Sequence, residues 1–333
     1  MTKKRSLIKA AAVALAAFSL AGGSAPAEDR DVVLQLAWLP NASSAGEIIA
    51  LQKGFFEEAG LNVTILPGGP SANTIQEVLG RTADIAVAYA PQIMYAADKG
   101  LPIKSFAAAF QKAPLTFFSL GEKNIKSVAD WKGMRVGANQ SAAPQIAVLL
   151  DNAGLTPDDI THVQARIPAL MQGQVDVVGT WPTNVAENTP ILEHPGGYNS
   201  QSIWDNGLQF QSNYYVARVE TLQDEADMLN AFMSAADKGW AWVADNQDEA
   251  VALMVEFAPA LKPDKETPSL AVIIRDYVYT DETAEAGFGN VSRERWQQTL
   301  DRYAKLGEIK DSLTADDVFD GSVLAAVDRT MRD

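Results

Sequence analysis

The sequence predicts an α/β protein of two lobes followed by a mainly helical C-terminal region. Three observations carry this. Short apolar, β-branched runs alternate with helical periods, as parallel strand–helix units do. The alternation occurs twice, in halves that echo each other: Gly80-x-x-x-Asp84 leads to Pro91, and Gly173-x-x-Asp176 leads to Pro182. From Leu222 onward the strand pattern stops and helical periodicity takes over.

Taken in order, Asp31 to Trp38 reads as a buried strand, ended by Leu39-Pro40-Asn41. A helix follows to about Ala59, with Gly60 as its stop. Leu61 to Leu66 is a second strand, and Pro67-Gly68-Gly69-Pro70 a loop. Ser71 to Gly80 predicts a helix with Asn73 in its first turn, and Ala83 to Ala88 a buried strand running into Tyr89-Ala90-Pro91-Gln92. Ile103 to Phe110 and Leu115 to Leu120 are further strands. The second unit repeats the order. Met134 to Ala138 is a strand, Asn139 to Pro144 a loop entering a helix that ends near Gly154, and Ile160 to Ala165 a strand. Pro168 to Gln172 is a short helix and Val175 to Gly179 a strand, closed by Trp181-Pro182-Thr183-Asn184. Tyr214 to Arg218 reads as a strand returning from the second lobe. Asp224 to Ala244, Asp248 to Glu256 and Arg293 to Lys305, the last with Ser292 as N-cap, are the helices of the tail. The expected division is a leader over 1–27, lobe I over 28–116 with 221–333 returning to it, and lobe II over 117–220.

The leader is read from Lys3, Lys4, Arg5 and Lys9, the apolar stretch Ala10 to Ala21, and Ala25-x-Ala27 before Glu28. That is the layout of a cleaved secretory signal, and the apolar run is too short for the ~20 residues of a membrane-spanning helix. The 333 residues contain no cysteine. A disulfide framework is excluded, and so is a lipid-modified cysteine at the cleavage site. The expectation is a protein free in a Gram-negative periplasm, with the leader cut after Ala27. The formal net charge is −15, and residues 1–27 hold four of the 27 basic residues and no acidic one. The remainder is more acidic still, which argues against nucleic acid as a partner.

Reactive groups are few. His162 and His194 have no metal-ligand partner at useful spacing, and no phosphate loop, dinucleotide fingerprint or nucleophile elbow is present. No catalytic residue, metal or cofactor is expected. The loops at the C-terminal ends of the strands are richer, and ligands of open α/β sheets bind there. They bring Trp38 and Asn41, then Tyr89, then Asn139, Gln140 and Ser141, then Trp181, Asn184 and Glu187. Asn73 stands at a helix N-terminus. Amides, hydroxyls and flat aromatic faces suit a small planar or polar molecule held by stacking and hydrogen bonds. Each residue also has a packing alternative: Trp38 as a plug in the lobe core, Tyr89 as packing under a loop, and Asn139 to Ser141 as a helix cap.

Two stretches, Leu36-Ala37-Trp38-Leu39-Pro40-Asn41 and Gln52-Lys53-Gly54-Phe55-Phe56-Glu57-Glu58-Ala59-Gly60-Leu61-Asn62-Val63, resemble the opening of the NMT1/THI5-like solute-binding proteins. Pro67-Gly68-Gly69, the Asp84 strand and Trp131-Lys132-Gly133-Met134-Arg135-Val136-Gly137 fit the same pattern. The resemblance covers about residues 32–220. It implies a type II-like periplasmic-binding-protein fold: two α/β lobes joined by crossover strands, closing on a ligand like a hinge. It places Trp38 and Asn41 on a stacking wall of one lobe and the Asn139 and Trp181 loops on the other. It implies a monomer serving an ABC permease with its cytoplasmic ATPase. The ligand it ranks first is a nitrogen heterocycle of the thiamine-pyrimidine-precursor type, followed by riboflavin-like aromatics and then by taurine, alkanesulfonate or nitrate. The chain departs from the pyrimidine-binding pattern after Trp181, where the next acid is Glu187. The other class on this fold is a thiamine-pyrimidine synthase, disfavoured here by the lack of cysteine.

Overall fold

A computed structural model describes residues 29–331. The leader expected over 1–27 lies outside the described residues. Ten strands form two five-stranded sheets with helices packed against them. The first four strands are β1 (Arg30–Gln35), β2 (Leu61–Leu66), β3 (Ile85–Ala88) and β4 (Ile103–Phe110). Then come β5 (Thr116–Leu120), β6 (Arg135–Gly137), β7 (Thr161–Val163), β8 (Val177–Thr180), β9 (Tyr198–Ser202) and β10 (Ser212–Arg218). The first sheet has the order β2-β1-β3-β10-β4 and the second β7-β6-β8-β5-β9.

The two orders are the same order. Each sheet has a parallel trio, β2-β1-β3 or β7-β6-β8, made by strand–helix–strand connections. Each also has one antiparallel strand, β10 or β5, contributed by the chain as it arrives from the other lobe. A strand entering from across the molecule reaches the sheet from its opposite end, so it runs against its neighbours. β10 therefore lies in the first sheet, although it falls inside the 117–220 stretch expected for lobe II. The two crossing segments, 111–115 and 203–211, are hydrogen-bonded side by side: Ala113 N–H donates to Phe210 O at 2.9 Å and Ile203 N–H to Leu115 O at 3.0 Å.

The sequence echo has a structural counterpart. The Asp84 carboxylate accepts the Val33 N–H at 2.9 Å, and the Asp176 carboxylate accepts the Arg135 N–H at 3.0 Å. Each aspartate stands just before the third strand of its trio and ties it to the central strand. Asp176 also pairs with the Arg135 guanidinium at 3.0 Å, which holds its carboxyl down at about 2.

Local chemistry moved several boundaries. Strand β1 ends at Gln35, so Trp38 sits in the following turn rather than in a strand. The helix expected to reach Ala59 is broken at Gly54, whose φ of 75° suits glycine, into Ala45–Gln52 and Phe55–Glu58. Several elements are additions, and two show why. Strand β9 is polar, Tyr-Asn-Ser-Gln-Ser, with no apolar alternation to reveal it. The Pro263–Ile273 helix carries Pro263 in its first turn and Pro268 inside, and both read as breakers in sequence.

Helices Ala45–Gln52 and Ala226–Asp245 cross the outer face of the first sheet through a glycine contact. A Cβ on Gly239 would lie 2.1 Å from the Gly46 carbonyl oxygen, and one on Gly46 would lie 2.2 Å from the buried Trp240 ring. Backbone cannot yield as a side chain can. Gly239→Ala is therefore expected to cost about 2 kcal/mol or more of stability by overpacking, read as a lower urea midpoint. An unchanged midpoint would show that the helices separate freely.

Candidate functional site

The C-terminal ends of both parallel trios face one cleft. Tyr89 directly follows β3 and Trp181 directly follows β8, so they are equivalent residues of the two lobes. Their rings meet edge to face, with centroids 5.4 Å apart. Burial pushes the Tyr89 phenol up to about 12, so it stays a neutral hydrogen-bonding group. The Trp181 loop is clamped from its own helix, because the carbonyl oxygen of Trp181 accepts from Asn184 N–H at 2.9 Å and from the Asn188 side-chain amide at 2.7 Å. Asn188 is buried. Its position, seven residues after Trp181, offered no sequence signal.

A cavity of about 110 Å³, which neither ring lines, is walled from three directions. Asn41, Ala42 and Ser43 come from the turn after β1. Thr183, Asn184, Ala186 and Glu187 come from the loop and helix after β8, in the other lobe. Lys265, Glu266, Ser269 and Ile273 come from the Pro263–Ile273 helix. That last wall was not foreseen. A larger groove of about 330 Å³ between Arg293, Gln297 and Asp316 is open and lies among C-terminal segments, away from the strand ends.

The turn after β1 determines which polar atoms reach the cavity. The Asn41 side-chain oxygen accepts from the Ser43 N–H at 2.9 Å and from the Ser43 hydroxyl. Its NH₂ group, which takes no protein partner among the described residues, is what Asn41 can offer a ligand. Glu266 Oε2 accepts the Ala42 N–H at 2.8 Å. Burial raises the Glu266 carboxyl above the usual range.

The expected site residues divide accordingly. Asn41, Asn184 and Glu187 line the cavity, and Tyr89 and Trp181 touch each other across the cleft. Trp38 is 41% exposed, which excludes the core-plug alternative; it does not line the cavity. Its carbonyl accepts from Gly68 N–H at 3.0 Å, and the Gly68 Cα comes so close to the chain at Leu36 that a Cβ there would lie 2.3 Å from the Leu36 oxygen. Asn73 spends its side-chain oxygen capping Gln76 N–H at 3.3 Å, at the start of a six-residue helix. Asn139, Gln140 and Ser141 are exposed at the mouth of the Ala143–Asn152 helix and outside the cavity lining. His162 lies on β7, and His194 lies 3.9 Å from Glu122 in a turn; neither lines the cavity. Among the described residues no cluster of His, Asp or Glu could hold a metal ion, and no helix is long and apolar enough to cross a membrane.

Comparison with known proteins places this geometry. The formylaminopyrimidine-binding protein of Halalkalibacterium halodurans is 25% identical over 304 residues, covering 86% of this chain and 89% of its own. The 4-amino-5-hydroxymethyl-2-methylpyrimidine phosphate synthase of Legionella pneumophila is 27% identical, over 69% of this chain and 75% of its own. The crystal structure of the periplasmic aliphatic sulphonate binding protein of Escherichia coli superposes with a TM-score of 0.66 at 15% identity, covering 86% of this chain and 91% of that one. At that identity the likeness establishes the fold, that of the two-lobed periplasmic binding proteins. The NMT1/THI5-like family model matches residues 41–250, from the Asn41 turn after β1 through the second strand trio and including the Tyr89–Trp181 pair, and the chain belongs to that family.

Proposed function

We propose that this chain is the periplasmic substrate-binding protein of an ABC importer, and that it holds a single-ring nitrogen heterocycle of the thiamine-pyrimidine-precursor type between its lobes. The observation that carries the reading is the inter-lobe cavity, walled by amides, hydroxyls, two carboxylates and the Lys265 ammonium, with Trp181, in contact with Tyr89, two residues before its Thr183 wall. Its volume of about 110 Å³ suits one ring. It lies below the ~300–1,000 Å³ of pockets for drug-sized ligands, so a three-ring flavin fits it poorly. Sulfonates and nitrate present only acceptors, and would face the two carboxylates of Glu187 and Glu266 against the single cation of Lys265. The formylaminopyrimidine-binding relative supports the same ligand class.

In this reading the expected leader exports the chain, the ligand favours the closed arrangement of the lobes, and the closed monomer docks on a membrane permease with its cytoplasmic ATPase. The lobes correspond to the two sheets, with the C-terminal helices belonging mainly to the first. Trp38 and Asn139 to Ser141 stand at the rim of the same strand ends, where they extend the site.

The test is a thermal-shift screen of purified protein against aminopyrimidines, flavins, sulfonates and nitrate. A ligand at 100 times its Kd stabilises by about 2.7 kcal/mol, and the aminopyrimidines are expected to give the largest shift. A shift with an anion alone would sink the heterocycle reading. The pyrimidine synthase relative keeps an enzymatic reading in view. Turnover of any pyrimidine by the purified protein would replace binding with catalysis.

A further inference from the structure

We propose that Glu266 is the specificity-determining residue of this site, accepting a hydrogen bond from an exocyclic amine on the ligand ring and rejecting ligands that offer only acceptors there. The inference rests on the binding reading above and deepens it.

Glu266 lies beyond residue 250, where the family match ends, on the Pro263–Ile273 helix. It is half-buried, and the two oxygens of its carboxylate do different work. Oε2 accepts the Ala42 N–H at 2.8 Å, which pins the turn that carries Asn41. Oε1 takes no hydrogen bond from any described residue, although the side chain lines the cavity. No ion pair ties Glu266 to the neighbouring Lys265 among the described residues. A half-buried carboxylate with one anchored oxygen and one unpaired oxygen is a fixed acceptor awaiting a donor.

The neighbouring group completes a pattern. Asn41 has its oxygen consumed by Ser43, so only its NH₂ donor is available. Donor from Asn41 and acceptor from Glu266 stand on residues joined through the Ala42 hydrogen bond. An aminopyrimidine edge presents the complement, a ring nitrogen that accepts beside an amine that donates. Sulfonate oxygens would meet the Asn41 donor and Lys265, but Glu266 and Glu187 would repel them with two negative charges against that one positive charge. A ring lacking the amine would leave Oε1 desolvated and unpaired.

The experiment is a two-by-two comparison by isothermal titration. The ligands are 4-amino-5-hydroxymethyl-2-methylpyrimidine and the same ring with the amine replaced by methyl. The proteins are wild type and Glu266→Gln. Ala42 N–H demands an acceptor, so the glutamine oxygen turns to it and its NH₂ faces the ligand amine, donor against donor. Wild type is expected to prefer the amine over the methyl ring by about 10–100-fold, the strength of one hydrogen bond to a charged group. Glu266→Gln is expected to lose that preference, with the methyl ring bound within threefold of wild type. Equal weakening of both ligands would make Glu266 only a support for the Asn41 turn, and would overturn the inference while leaving the binding function standing. Wild type failing to discriminate the two rings overturns it without any variant. Wild type binding neither ring removes the binding reading, and the inference with it.

Discussion

Replacing Trp181 with alanine is expected to weaken ligand binding by about 100-fold and leave the fold intact. Two effects act in the same direction. The indole supplies a flat apolar face, and desolvated aromatic anchors of this kind are worth about 2 kcal/mol or more when truncated. It also makes a contact between lobes, edge to face with Tyr89 at 5.4 Å, and such pairs are worth about 0.5–1.5 kcal/mol beyond area burial. Without it the closed arrangement is less populated, and apparent affinity falls with the competent fraction. The fold should tolerate the change because Trp181 is only partly buried and its loop is held by backbone and Asn188 hydrogen bonds that alanine keeps. Trp181→Phe, retaining a ring face, is expected to recover most of the loss. Titration of the aminopyrimidine decides it: Trp181→Ala binding within threefold of wild type would return the residue to a packing role.

Stability should peak in mildly acidic solution and fall by about 3 kcal/mol from pH 4.5 to just above 7, with Glu47 responsible for the fall. Glu47 is buried beside Gly46, under the Trp240 ring, where Tyr215 donates its hydroxyl hydrogen bond to it. Its second oxygen and the Trp240 indole N–H are both buried without a well-formed hydrogen bond, so the anion is only partly compensated. Burial lifts the carboxyl from 4.5 to about 7. The folded state therefore binds the Glu47 proton more tightly than the unfolded chain does. Its contribution is complete below 4.5 and is lost as pH rises through 7. Asp176 acts on the other side. Held at about 2 by Arg135, it contributes stability above 3.8 that disappears as pH falls through 2. Urea midpoints near pH 5 and pH 8 measure the basic limb. Glu47→Gln, which keeps an acceptor for Tyr215, should flatten it. A variant as pH-sensitive as wild type would shift the cause to the general self-repulsion of a chain with net charge −15.

Much of the site's framework was legible because it is local. Tyr89 and Trp181 could be placed at strand ends from the apolar runs Ile85–Ala88 and Val177–Thr180 immediately before them. The Gly80–Asp84 and Gly173–Asp176 echo pointed to equivalent turns, and both aspartates do tie equivalent strands. Asn73 and Asn139 read equally well as caps or as ligand contacts, since a helix N-terminus asks for the same side chains in either role. The Asn73 hydrogen bond to Gln76 assigns that side chain to the cap.

Residue order along the chain by itself determined the alternating α/β pattern, the helical tail, the loops that could carry chemistry and the scarcity of reactive groups. These follow from periodicity and composition within windows of about a dozen residues. Tertiary structure alone decided three matters. It placed β10 in the first sheet, although β10 falls in the stretch expected for lobe II, because strand pairing partners are chosen by the path of the chain and not by local pattern. It brought Tyr89 against Trp181 across the cleft. It delivered Glu266 to Ala42, 224 residues earlier, on a helix whose two prolines disguised it. A hydrogen bond over that separation leaves no trace in either segment, since each is shaped locally by its own backbone and meets the other only after both have packed into the same core.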